Sequence, residues 1–478
     1  MGVKTLVQML EGNAREFPGK DALVFGETRL SYKALNEAVN RAANAFLKNG
    51  VRKGDIIGLM LPRIPELVVG FLASAKAGAV AAPINYELTR DRVSGLLRTL
   101  NPRAVVAHAD FTGLLDDVAQ TDIKGFTVLV GGPQAGESSW REFIGGAGPE
   151  NPGISVDEGD IAYLNYTSGS TGESKGALAT HANIYWNTYS SVEALGLRRE
   201  DVHLCMFASF AHPHEIFSRS VFLGGTMVIV DKIYPKSIAE AIEANRVTCM
   251  MGLSPMYENL LELMGHKHYD LSSLRVPESG GMYTRTELIE RFRDKVGASI
   301  VPVWGSTETT GIAIANRPGA NVPSGSVGTA CPGYGIKIVD EESQELPDGE
   351  VGEMVFKGPG VVGGYFEGMD AGRNSFRDGW YYSGDLARRD ARGYFYFVER
   401  KTGMMKIAGL KVFPTEIELT LLDHVDIREA TVVSVKDRLR GEVPKAVIVL
   451  KNGKSMTARD VFNFCRQRLA HYKVPRIV

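Results

Sequence analysis

From Ala22 two short apolar-polar stretches, ALVF and TRLS, flank Gly26-Glu27 and predict a hairpin. Ser31 then stands as an N-cap before a run in which Leu35, Val39, Ala42, Ala43, Phe46 and Leu47 recur at helical spacing, and Gly50 supplies the stop. An apolar strand follows over 55–61, closed by Pro62, then a helix over 65–76 and a second apolar strand over 79–84. The same rhythm returns at 227–230, 238–245, 248–253 and 299–303. Strands alternating with helices imply parallel sheets covered by helices. Beyond about Asn321 the pattern changes to short strands between glycine and proline turns, as in LPDGEVGEMVFKGPG and ARGYFYFVER, which fits a small antiparallel sheet or barrel. From about Gly403, strands over 430–435 and 446–450 mix with a helix over 458–469, giving a small α+β domain. The reading is an α/β chain. A domain of residues 1–401 holds two layered α/β subdomains and an antiparallel barrel-like one, and a small domain of residues 402–478 follows. No internal repeat or low-complexity stretch interrupts it.

Composition narrows the class. A chain of 478 residues is too long for one compact core. With 44% hydrophobic and 23% charged residues and a formal net charge of -2, it has a globular balance that implies neither nucleic acid nor an anionic membrane as partner. Cys205, Cys249, Cys331 and Cys465 lack metal-ligand or disulfide-framework spacing, which points to a reducing, cytoplasmic setting. Glu11, Arg15 and Glu16 break up the N-terminal stretch, so no secretion signal is read there, and Leu6 stands where a myristoylation signal needs Ser or Thr. No apolar run reaches the roughly 20 residues of a membrane span.

The chemistry begins at Tyr166-Thr167-Ser168-Gly169-Ser170-Thr171-Gly172-Glu173-Ser174-Lys175-Gly176, which follows a predicted strand over 160–164. Backbone N–H groups freed by glycine, hydroxyl donors and one lysine suit a polyphosphate. Ordinary surface turns share the glycine and serine content. A Walker A loop needs Ser or Thr after its lysine, and here Gly176 follows Lys175.

TSGSTGESKG resembles the phosphate loop of the adenylate-forming superfamily, which comprises acyl-CoA synthetases, peptide-synthetase adenylation domains and luciferases. Further segments match in family order: LSYKALNEAVNRAANAFLKNGVRKGDIIGLML with AKAGAVAAPIN, the turn Ser279-Gly280-Gly281, WGSTETTG, DGWYYSGDL, and GYFYFVERKTGMMKIAGLKVFPTEIE. The resemblance covers nearly the whole chain. It implies that Thr167, Ser168, Gly169, Ser170, Thr171, Gly172 and Lys175 hold the outer phosphates of ATP, that Thr307 contacts the α-phosphate, and that Glu308 ligates Mg2+. Thr167, Lys175, Thr307 and Glu308 form the implied catalytic set. Gly281 and Met282 border the adenine and Trp304 stacks on it, with Gly305 and Ser306 in the same nucleotide-binding segment. Asp385 receives the ribose hydroxyls, a task suited to an acceptor-only group, and Arg400 is a second ribose contact. Taken singly, Trp304 would be core packing and Asp385 a turn former.

The same resemblance places the acyl pocket along 207–217, with His212 or His214 as the gate histidine and Gly281 and Gly311 at its wall. Glu215 is the only acid between Phe207 and Phe217, where an amino-acid adenylation domain carries an aspartate, so the acid lacks an α-amine and coenzyme A is the acceptor. The two histidines with Arg219 leave open a dicarboxylate or hydroxy acid. Residues 402–478 would form the mobile lid. The hinge position, usually Asp or Lys, is Thr402, and Gly409, Leu410 and Lys411 form the loop on the coenzyme A side. The family's catalytic lysine falls beyond Val478 and Lys473 precedes its position, so slow adenylation is expected of the chain as written. The implied activity is an ATP-dependent, AMP-forming acid–CoA ligase, with coenzyme A as co-substrate and as monomer or homodimer. A stand-alone enzyme loading a carrier-protein thiol and a non-catalytic nucleotide-binding protein are the alternatives.

Overall fold

A computed structural model describes residues 2–115, 125–131, 138–167, 175–366, 375–407, 410–437 and 441–478. The chain forms two compact units, Met1–Gly335 with Phe356–Tyr381, and Ile336–Val355 with Tyr382–Val478.

The larger unit contains both helix-covered sheets. One runs, in spatial order, Ser138–Ser139, Phe126–Val130, Ala104–His108, Ile56–Met60, Val80–Pro83, Ile161–Thr167 and Lys175–Thr180. All neighbours are parallel except the last pair. The other runs Thr329–Ala330, Gly311–Ala315, Val301–Ser306, Val276–Ser279, Cys249–Gly252, Val202–Cys205, Thr226–Ile229, Asp21–Phe25 and Thr28–Ser31. Its centre is parallel and its two margins are antiparallel. The parallel strands are buried on both faces, which is why they read as near-continuous apolar runs.

Local signals explain the element ends. Ser31 Oγ accepts a hydrogen bond from the Ala34 N–H at 3.2 Å and starts the helix Tyr32–Lys48, which buries Leu35, Val39, Ala42, Ala43 and Phe46. Pro65 opens the next helix at its first position, where its missing N–H costs nothing. That helix, Pro65–Lys76, is buried nearly all round, and its Phe71 packs on Tyr163 at 5.6 Å and Phe217 at 4.9 Å. The helix expected over 238–245 begins earlier, at Pro235, for the same reason as Pro65.

The short strands expected beyond Asn321 are Gly335–Val339, Gly352–Lys357, Phe376–Arg377, Trp380–Arg389 and Phe395–Arg400. In the smaller unit, Trp380–Arg389 pairs antiparallel with Phe395–Arg400 through Asp385↔Arg400 to Arg389↔Phe395. An antiparallel hairpin, Ile427–Asp437 with Gly441–Leu450, packs with the helices Pro414–Leu422 and Ala458–Arg466 around Ile417, Leu421, Val432, Val461 and Cys465. Residues 336–355 and 382–401 group with this unit rather than with residues 1–335. Two bonds show why: Lys401 Nζ reaches Glu353 Oε2 at 2.7 Å, and Thr415 Oγ1 donates to Glu399 Oε2 at 2.8 Å. Among the described residues no helix is long and apolar enough to cross a membrane.

Candidate active site

The strands Ile161–Thr167 and Lys175–Thr180 are antiparallel partners, with Thr167 opposite Lys175 and Tyr166 opposite Gly176. The glycine- and serine-rich segment therefore joins two paired strands. This differs from a P-loop, which leads into a helix and uses that helix's N-terminus. Ser168, Gly169, Ser170, Thr171 and Gly172 lie outside the described residues, as does the side chain of Thr167.

A third segment runs along the second strand. The Phe366 N–H donates to the Gly176 carbonyl at 2.7 Å, and Ala177 pairs with Tyr365. This fixes Tyr365 so that Lys175 Nζ lies 5.5 Å from its ring centre, while its hydroxyl donates to Glu308 Oε1 at 2.7 Å. The Val362 N–H donates to the Glu308 carbonyl at 2.9 Å. Lys175 and Glu308, far apart in sequence, are thus brought to one tyrosine. Burial, with the Glu308 charge next, pushes the Tyr365 phenol far above its ordinary range, so it remains a donor.

The motif from Trp304 to Gly311 makes a tight reversal. The Ser306 N–H donates to Thr309 Oγ1 at 2.9 Å, and Thr309 Oγ1 donates to the Gly311 carbonyl at 2.7 Å. A side chain at Gly305 would meet the Gly311 backbone, so a glycine is required there. Trp304 is buried and stacks on Phe356, with centroids 4.4 Å apart and planes 3° from parallel. It has the core contact its residue type favours as well as its place in the motif. Thr307 and Glu308 are both buried.

Buried side chains hold this reversal from outside. Asn187 Nδ2 donates to the carbonyls of Thr309 and Ile312 at 3.2 and 2.8 Å, and Tyr334 OH donates to the Thr309 carbonyl at 2.7 Å. Thr310 Oγ1 donates to the Gly360 carbonyl at 2.8 Å. His214 Nε2 lies 2.8 Å from the Thr310 carbonyl. A carbonyl only accepts, so His214 carries its proton on Nε2. Burial lowers the His214 pKa to about 4, leaving the ring neutral near pH 7. The His212 ring centre is 6.3 Å from that of His214, and burial, assisted by His214, brings its pKa also to about 4. Of the two candidate histidines, His214 is the one bonded to the motif.

Gly281 has φ +73°, a left-handed turn that suits glycine, and Met282 beside it is exposed. In the smaller unit, Asp385 is buried and its Oδ1 lies 2.9 Å from Arg400 Nε. Their strand register places them opposite each other. Thr402 is exposed, Leu410 is exposed, and Lys411 pairs with Glu341 at 3.1 Å; Gly409 lies outside the described residues. Lys473 Nζ donates to both Glu416 carboxylate oxygens at 2.7 Å, which commits it to a partner in its own unit.

Sequence reasoning missed Tyr365, Asn187 and Tyr334. Each is a lone polar side chain without motif context, and only the pairing of distant strands reveals it.

The layered α/β architecture and the meeting of Lys175 and the buried Glu308 at Tyr365 define a nucleotide-handling enzyme. Residues 10–366 match the model of the AMP-binding enzyme family and residues 416–478 that of the AMP-binding enzyme C-terminal domain, and the chain belongs to this family. It is 31% identical to a feruloyl-CoA synthase of an Amycolatopsis species over 97% of this chain and 92% of the relative. It is 30% identical to the long-chain-fatty-acid–CoA ligase of Bacillus subtilis, over 99% and 90% of the two chains. Among solved structures, an anthranilate CoA ligase in complex with anthranoyl-AMP aligns with TM-score 0.92 at 28% identity, covering 99% of this chain and 93% of the other. ATP-bound MatB from Rhodopseudomonas palustris aligns with TM-score 0.90 at 26% identity, covering 99% and 94%.

Proposed function

We propose that this chain is an ATP-dependent, AMP-forming acid–CoA ligase, and the observation that carries the reading is the convergence of Lys175 and Glu308 on Tyr365. In the first step the acid's carboxylate oxygen attacks the α-phosphorus of ATP and pyrophosphate leaves. In the second the coenzyme A sulfur attacks the acyl carbon and AMP leaves. A carboxylate is a poor electrophile, and the adenylate gives it a good leaving group.

Lys175 would supply positive charge to the outer phosphates as pyrophosphate departs. Thr307 would donate to the α-phosphate. Glu308 offers a hard oxygen ligand with one oxygen already fixed by Tyr365, which fits Mg2+, an ion usually held by one or two carboxylates plus substrate phosphates. When bound, the ion neutralises phosphate charge. Asp385 would accept from the ribose hydroxyls, steadied by Arg400. Thr402 would be the hinge, with Gly409 to Lys411 on the thiol side, in a cytoplasmic enzyme.

Arg219 is buried and its charge is already matched by Glu278 and Glu215, so it offers no free cation for a second carboxylate, and the case for a dicarboxylic acid weakens. Pyrophosphate release by the full-length protein, over ferulate, anthranilate, indoleacetate, benzoate, malonate and long-chain fatty acids, tests the reading. An acid that drives release and yields an acyl-CoA supports it. Release without thioester formation until a phosphopantetheinylated carrier protein is added shifts the acceptor to that protein. Nucleotide binding without release for any acid overturns it.

A further inference from the structure

Three segments assigned to different parts of the site meet on one buried ionic cluster. Glu278 lies in the strand Val276–Ser279, which runs directly into the adenine-side turn at Gly280 and Gly281. Arg219 Nη1 donates to both Glu278 oxygens at 2.8 Å. Arg219 Nη2 lies 3.6 Å from Glu215 Oε2, one helical turn away at the end of the acyl segment. Glu215 Oε1 in turn sits against Gly311, the end of the Thr307–Glu308 motif. Gly311 has φ +127°, and a side-chain carbon there would clash with Glu215 Oε1 and lie 2.7 Å from Asn187 Oδ1. All three charged side chains are buried, none more than 5% exposed.

Stability alone does not account for such a cluster. Burying ions costs several kcal/mol each, and apolar replacements of whole buried ionic groups are often as stable or more so. Nor is hydrogen bonding complete: among the described residues Arg219 Nε and Nη2 have no hydrogen-bond partner. What the arrangement does fix is geometry, because the charge-assisted hydrogen bonds from Arg219 Nη1 to both Glu278 oxygens are directional where apolar packing is not.

We infer that Glu215, Arg219 and Glu278 form a brace that positions the Thr307–Glu308 motif and the adenine-side turn relative to the acyl segment, making Arg219 a positioning residue for adenylation. The inference rests on the ligase reading, which supplies the roles of the three segments. Arg219 touches none of the reacting groups. Its effect is carried through Glu215 to Gly311 and through Glu278 to Gly280.

The test compares wild type, Arg219→Met/Glu278→Gln and Glu215→Gln for melting temperature, acid-dependent ATP–pyrophosphate exchange, and KM for ATP. The paired variant removes Arg219 and Glu278 together and leaves Glu215 as the one unpaired charge of the cluster, whose own contribution Glu215→Gln reads separately. Loss of positioning is expected to lower kcat about 10- to 100-fold, since small misplacements near a reacting centre have costs of this order. KM for ATP should stay within about threefold, as interactions realised only in the transition state govern kcat. Wild-type kcat in the folded paired variant overturns the brace. So does a loss of melting temperature matched by no change in kcat of the folded fraction. If the paired variant does not fold, Glu215→Gln decides in the same way: reduced kcat in a folded protein supports the brace and unchanged kcat overturns it. A wild type that shows no exchange with any acid overturns the ligase reading instead, a result separable from every variant outcome.

Discussion

Tyr365 donates its phenolic hydrogen to Glu308 Oε1 at 2.7 Å while its ring lies 5.5 Å from Lys175 Nζ. One aromatic side chain thereby sets the position of a buried carboxylate and faces the cation on the adjoining strand. Replacing it with phenylalanine keeps the ring and removes the donor. A hydrogen bond to a charged group is worth about 1.5–3 kcal/mol, so Tyr365→Phe should reduce adenylation roughly 10- to 100-fold. The dependence of pyrophosphate release on Mg2+ concentration should shift in the same variant, because Glu308 regains an unfixed oxygen. Initial rates over a magnesium titration provide the check.

Gly311→Ala should be far more damaging than a surface glycine substitution. Its backbone is in a region that disfavours any side chain, and the added carbon meets Glu215 and Asn187. Overpacking and backbone strain together should cost about 2–4 kcal/mol of stability. The urea midpoint reports that loss. Gly265→Ala, with nothing near its added carbon, is the comparison.

Asp385→Asn should weaken nucleotide binding by one to two orders of magnitude, in line with about 1.5–3 kcal/mol for a charged hydrogen bond. Arg400→Ala should cost less, because Arg400 is 64% exposed and its pair with Asp385 is correspondingly screened. Calorimetric titration with AMP ranks the two.

Acid sensitivity should begin well above the carboxylate range. Burial lowers His181, His212 and His214 to about 4, and His203 to about 3, from an ordinary 6.5. Between pH 6.5 and about 4 the unfolded chain therefore binds more protons than the folded one, so stability is full above pH 6.5 and falls as the pH drops through this window. Urea denaturation at pH 7.5, 6.0 and 5.0 should show a midpoint nearly constant above pH 6.5 and declining below it.

The sequence made the layered architecture readable because buried parallel strands and capped amphipathic helices announce themselves locally. Ser31, Pro65 and the ALVF–TRLS hairpin are all found where the pattern puts them. The motif residues were readable as types in order. What escaped was everything set by pairing between distant segments. Tyr365 becomes part of the site only because Ala177 pairs with it, and Asn187 only because its helix lies beside Gly311–Ala315. Trp304 shows the converse. Its motif assigns it to adenine, yet its stacking on Phe356 also gives it a packing role that no local pattern discloses.

The polypeptide passes between its two compact units three times, after residues 335, 355 and 381. A recombinant exchange with a relative at a single crossover near residue 402 would therefore transplant only part of the smaller unit. Residues 336–355 and 382–401 would stay behind from the other parent, so Glu353–Lys401 would be inherited intact while Glu399–Thr415 would become a hybrid pair whose compatibility decides whether the graft folds. Shuffling of this protein is thus limited by joint inheritance of the two separate stretches that make up each unit, and its modules are spatial without being genetic.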